Sequence, residues 1–191
     1  MKFLDTLLGR TKPKAAQLDA LFALPSAAVT LEAGAGLRST GRAAVAFKPA
    51  SGQVFAEAGL EVAPLLEMAA EQAGSELREE TDTYGYRWVV VDDPDLEDLI
   101  GAVHLVNATL EERGFGNQLL CSMFAFGNDE GTQLYLVYLY KRGTFYPFAP
   151  SPGGGERRDN ELELRVRGVL GSDLPVEADL TRWFPLWGVP V

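Results

Sequence analysis

Apolar residues recur every three to four positions in several parts of the chain, a spacing typical of amphipathic helices. The clearest case precedes Gly114, which can end that helix, and Asp93 or Asp95 can cap its start. The same spacing predicts five helices, near residues 3–8, 18–25, 60–73, 93–113 and 159–170. Pro25 is expected to end the second of these helices.

Six short runs with strand-like patterns are grouped into three hairpins by turns that contain glycine. They lie near residues 28–32, 42–48, 76–81, 86–91, 119–126 and 134–140. The last two runs are apolar on both faces, so we expect them in the middle of a sheet. The whole pattern predicts an α+β fold in the order α-α-ββ-α-ββ-α-ββ-α, with a mainly antiparallel sheet and helices between the hairpins.

The length of 191 residues and an ordinary globular composition favour a single domain over residues 1–191. Within it we expect a short amphipathic helix over residues 1–10, a flexible loop over 149–158 and an irregular aromatic tail over 172–191. The single cysteine, Cys121, lies in an apolar run and is expected to be a buried thiol. That lone cysteine and an N-terminal apolar stretch too short for a secretory leader favour the cytoplasm.

The predicted N-terminal helix has one apolar face, formed by Phe3, Leu4, Leu7 and Leu8. A helix of fewer than three turns is marginal by itself in water, so this face must dock on a surface. The segment is also basic, because residues 1–14 contain four Lys or Arg residues and one Asp, which gives 4 − 1 = +3. The body of the chain, a partner protein and an anionic membrane surface are all open as docking surfaces.

Net charge separates the possible classes of partner. The chain has a formal charge of −10, which disfavours nucleic acid because neutralisation of phosphates by Lys and Arg supplies most non-specific affinity. An acidic body suits basic protein partners instead.

Residues that commonly carry catalysis or bind metals are scarce. His104 is the only histidine and Cys121 the only cysteine, and no paired-cysteine, His-Glu-x-x-His or Gly-x-Ser-x-Gly motif is present. The acidic residues at 92–98 could bind a divalent cation, but capping of the following helix is the favoured interpretation. We expect no catalytic, cofactor or metal site and no enzymatic activity, with an unrecognised carboxylate site as the alternative.

Two aromatic blocks are candidates for binding a protein, since aromatic residues interleaved with Arg are common interface anchors. The candidate residues are Arg142, Phe145, Tyr146 and Phe148 in one block and Trp183, Phe184 and Trp187 in the other. Prolines are expected to prevent regular strand pairing in both blocks. For the tail we favour the interpretation that its rings pack over the sheet and close the core, with an interface role as the alternative.

Six stretches of the chain resemble the actinobacterial PspA-associated protein family, PspAB. They are MKFLDTLLGR at 1–10, LDALFALPSAAVTLEA at 18–33, GFGNQLLCSMFAF at 114–126, YLYKRGTFYPFAP at 138–150, RRDNELELRVR at 157–167 and DLPVEADLTRWFPLWG at 173–188. The first stretch begins at residue 1 and the last ends at residue 188, so the resemblance spans essentially the whole chain.

The resemblance implies association with PspA, a long-helical protein of the phage-shock response to membrane stress, and it brings no catalytic residues. It therefore implies a non-catalytic, protein-binding accessory factor in the envelope stress response. The implied partner is PspA or another Psp-linked protein. A peripheral membrane-surface sensor that acts through the N-terminal helix is the alternative.

Overall fold

The structure is a computed structural model that describes residues 18–48, 64, 74–153, 155–171 and 173–191. The helix predicted at residues 3–8 lies outside the described residues, and so does the helix at 60–73 except for residue 64. In the described part, helices α1 to α3 span Leu24–Ala35, Leu96–Leu110 and Asn160–Leu170. Strands β1 to β6 span Arg38–Phe47, Glu76–Thr81, Arg87–Asp92, Leu119–Gly127, Gln133–Leu139 and Thr144–Phe148. Shorter helical turns lie at Leu18–Ala23, Glu111–Phe115 and Leu180–Arg182.

The six strands form one sheet in the order β2-β3-β1-β4-β5-β6, and every neighbouring pair is antiparallel. The α+β class and the antiparallel sheet are therefore confirmed, as are the predicted hairpins β2–β3 and β4–β5. Strands β4 and β5 each have a neighbour on both sides, as their apolar faces predicted. The order of elements is broadly the predicted one, and it differs at the first hairpin and at the end of the sheet.

The strand predicted at residues 28–32 is wrong, because these residues belong to α1. Pro25 lies in the first turn of this helix instead of ending one, where a proline needs no partner for an N–H. The buried residues of α1 follow helical spacing at Leu24, Ala27 and Leu31. Gly36 then ends the helix in the left-handed conformation, at φ +67°. Strand β1 consequently has no preceding hairpin partner and pairs with β3 and β4.

The expectation that prolines prevent strand pairing is wrong for Pro147, which lies within β6. Strand β6 is the edge of the sheet, and Phe145 directs its backbone N–H and C=O away from β5, to Pro175 and Glu177. Pro147 is two residues further along and faces the same way, so its missing N–H costs no bond to β5. The segment around residue 176 therefore covers part of this sheet edge.

Both faces of the sheet are apolar, and two different parts of the chain cover them. On one face, called here the helical face, residues such as Val45 and Phe124 form a buried cluster with residues of the three helices. On the opposite face, called the tail face, Ala44, Met123 and other strand residues form a second buried cluster with Trp183. Residues 173–191, called the C-terminal segment, place further apolar side chains against this second cluster.

Replacement of Trp183 by alanine should destabilise the fold, because its indole is 5% exposed and stacks on Tyr146 with the ring centroids 6.2 Å apart. Its Nε1 also donates to the Glu177 carbonyl oxygen at 3.0 Å. We expect Trp183→Ala to lower the free energy of unfolding by about 3–5 kcal/mol. Urea unfolding followed by circular dichroism measures the change.

The neighbouring Phe184→Ala provides a matched control, since that ring is 60% exposed. Its effect should stay within about 1 kcal/mol. Equal losses in the two variants would contradict the placement of Trp183 as the anchor of the C-terminal segment.

Candidate functional site: a groove beside the C-terminal segment

Most of the aromatic candidates lie in the interior of the protein. The rings of Phe145, Tyr146, Phe148 and Trp183 are buried, and each is at most 5% exposed. Phe145 belongs to the helical face, whereas the other three belong to the tail face. Of these four, only Trp183 belongs to the tail, and its ring packs over the sheet in the way that the core-closing interpretation predicts.

The other sequence candidates have different positions. Phe184 is exposed and Trp187 is half-buried, and both line one groove. Arg142 is exposed in the turn between β5 and β6, away from the groove, and forms an ion pair with Glu177 near the start of the C-terminal segment. The N-terminal candidates at residues 3, 4, 7 and 8 lie outside the described residues.

The groove has a volume of about 390 Å³ and lies between the C-terminal segment and one end of the sheet. Its described lining is mainly apolar and consists of Ala46, Asp82, Tyr84, Tyr86, Trp88, Leu120, Cys121, Phe184, Pro185, Leu186, Trp187 and Val189. Three of these residues have large, exposed apolar side chains: Tyr84 at 66%, Leu120 at 40% and Phe184 at 60%. These three residues are called here the groove rim.

Tyr84 and Leu120 were missed by the sequence analysis. Tyr84 lies in the tight turn of the β2–β3 hairpin, and an aromatic residue at a turn, where polar residues are usual, is a signal that could have found it. Leu120 belongs to a strand whose residues are apolar in both directions, so the sequence offers no sign that its side chain is exposed.

Asp82 shapes the wall of the groove. Its carboxylate accepts hydrogen bonds from the backbone N–H groups of Tyr84 and Tyr86 and from Nε1 of Trp88, each at 2.9 Å. Three bonds to one carboxylate hold the turn and the indole in fixed positions. Asp82 therefore acts as a structural acceptor that fixes the shape of the groove.

A buried carboxylate anchors the start of the C-terminal segment. Glu177 is 3% exposed and accepts hydrogen bonds from Arg142 and from the Thr144 hydroxyl. Burial alone would raise the pKa of the Glu177 carboxyl, but these bonds and one from the Asp179 N–H outweigh burial and hold the pKa below its ordinary value. The segment is thus attached by charge to the turn before β6, and by ring packing to β6 itself.

The remaining backbone of the C-terminal segment is held by tyrosines of the tail face. The hydroxyl of Tyr146 donates to the Phe184 carbonyl oxygen at 3.0 Å, and the hydroxyl of Tyr135 donates to a Val191 oxygen at 3.2 Å. These bonds fix both ends of residues 184–191, so the side of the groove that this stretch forms has a defined position.

The acidic residues at 92–98 are engaged in local contacts. Asp95 caps α2 by accepting from the backbone N–H groups of Glu97 and Asp98, at 2.8 and 3.2 Å. Asp93 accepts from the hydroxyl of Ser75 at 2.7 Å, and Asp92 forms ion pairs with arginines. Among the described residues, no group of three or more His, Cys, Asp or Glu side chains could hold a metal ion. The capping interpretation therefore agrees with the observed hydrogen bonds.

A second cleft, of about 520 Å³, lies between the start of β1 and the β4–β5 turn. Its described lining is mainly small and polar, and its cation Arg38 is paired with Glu32 at 2.8 Å. The groove rim lies at the opposite end of β4 from this cleft and offers exposed rings, which makes the groove the better protein-binding candidate. No helix in the described part of the chain is long and apolar enough to cross a membrane.

Cys121 in the groove wall should be unreactive in the folded protein. Burial raises the pKa of its thiol to about 12, so about one thiol in ten thousand is ionised at pH 8. We expect a maleimide to modify the native chain at least tenfold more slowly than the chain in urea, as measured by mass spectrometry. Equally fast modification of the folded chain would contradict the buried position.

Replacement of Glu177 by glutamine should lower the free energy of unfolding more at pH 7 than at pH 3. The folded pKa lies below the ordinary 4.5, so the unfolded chain binds this proton more readily. The stabilising contribution is therefore present above about pH 4.5 and is lost as the pH falls through the folded pKa. Urea titrations at the two pH values measure this difference.

Glu130→Gln, at an exposed position in the β4–β5 turn, is the control and should change stability little at either pH. If Glu177→Gln costs the same at both pH values, the contribution assigned to the charge of Glu177 is refuted.

Comparison with known proteins identifies the family of this chain. No curated protein and no solved structure matched the chain. One family model, described as PspA associated protein B, matches residues 1–191, which is the whole chain. The resemblance drawn from the six sequence stretches is thereby confirmed. The chain belongs to the PspAB family of PspA-associated proteins.

Proposed function

We propose that this protein is a cytoplasmic, non-catalytic accessory factor of the envelope stress response that binds PspA, or another PspA-linked protein, through the groove. The observation that carries the proposal is the groove rim, where three large apolar side chains are exposed around one cavity. The family description, PspA associated protein B, supports PspA as the partner.

The form of the groove suits a protein segment. Exposed Tyr84 and Phe184 stand on opposite sides, one on a hairpin turn held by Asp82 and one on the anchored C-terminal segment. Rigid aromatic anchors around an apolar depression are typical of sites that bind one face of an amphipathic helix. The resemblance implies that PspA is a long helical protein, which would offer such faces.

Charge favours a basic segment as the ligand. Residues 1–14 carry +3, so the other 177 residues carry −10 − 3 = −13. Asp82 is the only charged residue in the described lining of the groove. A ligand with apolar residues in the groove and Lys or Arg on its flanks would complement both the lining and the surrounding body.

The chemistry of the groove supports binding without catalysis. Its titratable groups are Asp82, Cys121 and the two tyrosines of the hairpin turn. Asp82 already accepts three hydrogen bonds, and Cys121 has a pKa of about 12. The hydrogen bonds of Asp82 fit a structural role, and Cys121 lacks the thiolate that a nucleophile requires.

Alanine substitutions at the rim should weaken binding without unfolding the chain. We expect Tyr84→Ala combined with Phe184→Ala to reduce affinity for purified PspA from the same organism by about tenfold or more. Isothermal titration calorimetry measures the affinity, and circular dichroism confirms the fold.

Leu164→Ala is the matched control, since Leu164 is 51% exposed on α3 and is not part of the groove lining. This variant should bind as the native chain does. The proposed function would be refuted if the native chain bound no PspA and if its purification from stressed cells recovered no Psp-linked protein. Equal binding by the rim variant and the control would refute the groove as the site.

A further inference from the structure

We propose that residues 1–10 of this chain occupy the groove when no partner is bound, so that the protein carries its own competitor for the binding site. The competition rests on the function proposed above, whereas the occupancy can be tested without any partner. Three properties of the chain support it: the chemistry of the segment, its charge and the place from which it emerges.

The apolar chemistry of the segment matches the groove. In the helix that the sequence predicts, Phe3, Leu4, Leu7 and Leu8 share one face, and so short a helix would need a surface to be stable. The groove rim offers exposed rings and a leucine around an apolar cavity of about 390 Å³, a size that suits a few such side chains. Burial of this face in the groove would remove apolar surface from water on both sides.

The charges of the segment and the body are opposite. Lys2, Arg10, Lys12 and Lys14 give residues 1–14 a charge of +3, against −13 for the rest of the chain. The described lining of the groove contains Asp82 and no Lys or Arg. Electrostatics therefore favour this segment over an acidic or neutral apolar segment.

The described chain begins on the helical face of the sheet, where Leu21 and Leu24 are buried in the cluster with the helices. Asp19, beside the first described residue, lies near Tyr138. Burial, with a smaller contribution from the Asp19 carboxylate, raises the pKa of Tyr138 to about 12. Tyr138 is the pairing partner of Ser122, whose neighbour Cys121 lines the groove on the opposite face. Residues 11–17 could span at most about 24 Å, and the path from the helical layer to the opposite face crosses at most two layer spacings of about 10 Å each. This connection is long enough to pass around the end of the sheet.

Attachment to the same chain makes a weak ligand effective. A short connection within one chain can give an effective concentration in the millimolar range, so a segment that binds poorly as a free peptide can fill the groove in its own chain. A partner must then displace the segment. The apparent Kd for that partner equals its intrinsic Kd divided by the fraction of molecules whose groove is empty.

Photo-crosslinking in the full-length chain tests the occupancy. p-Benzoylphenylalanine replaces Phe184 at the rim, and in a second protein it replaces Leu164, which is exposed outside the groove lining. After illumination of the dilute protein without PspA, mass spectrometry should find crosslinks from position 184 to residues 1–10, and at least fivefold fewer from position 164. Leu7→Asp with Leu8→Asp should abolish the crosslinks from position 184 while circular dichroism remains unchanged.

A mixture of isotopically light and heavy chains distinguishes the source of the segment. Crosslinks within one chain support the proposal, whereas crosslinks mainly between light and heavy chains overturn it in favour of exchange between copies. No crosslink to residues 1–10, or equal yields at the two positions, also overturns it. Added PspA should decrease the crosslinks from position 184 if the groove is also the partner site. Persistence of the crosslinks under saturating PspA would refute the competition and leave the occupancy standing.

Discussion

A sheet that is apolar on both faces must be covered on both faces, and this constraint organises the rest of the protein. Helices cover one face, where Val45 and Phe124 are buried among them. On the other face, Ala44 and Met123 are equally buried, although the C-terminal segment that packs there has no regular structure beyond one short turn. Without this segment, the hydrophobic effect that stabilises the sheet would be lost over part of the tail face.

The manner in which the C-terminal segment is attached explains why a groove exists. Glu177 and Trp183 fix its start against β6, through an ion pair with Arg142 and through ring packing on Tyr146. An irregular segment with prolines and a glycine cannot follow a flat sheet as closely as a paired strand does. Near the β2–β3 turn it leaves a depression in which Phe184 remains exposed. The cover of the core and the candidate binding site are thus two consequences of one packing arrangement.

Sequence reasoning predicted the elements whose signals are local. The cap at Asp95 and the two turn-linked hairpins follow from short-range chemistry and are present, and Gly114, predicted to end the helix, breaks the helical turn that follows α2. Prediction failed where tertiary context decides. In α1, small residues hide the helical spacing and Pro25 is equally compatible with the start or the end of a helix. At Pro147, only the position of β6 at the sheet edge makes the proline acceptable.

The candidate site was predicted in part, for a related physical reason. Composition indicates that aromatic residues bury much surface, but it cannot distinguish burial in the core from burial in an interface. Trp183 and Phe184 are adjacent in the sequence, yet one is 5% exposed and the other 60%. The rim residues Tyr84 and Leu120 meet Phe184 only because the C-terminal segment crosses the sheet at that place.

Hydrogen exchange of the native chain, with and without saturating PspA, tests most directly the claim that the exposed rim of this groove is where the protein meets its partner. Binding at the groove should slow exchange at residues 82–88, 119–121 and 184–189, which contribute its walls. Exchange in α3, whose residues are not among the groove lining, should change little. Protection confined to other surfaces, with the three groove stretches unchanged in the complex, would contradict the account.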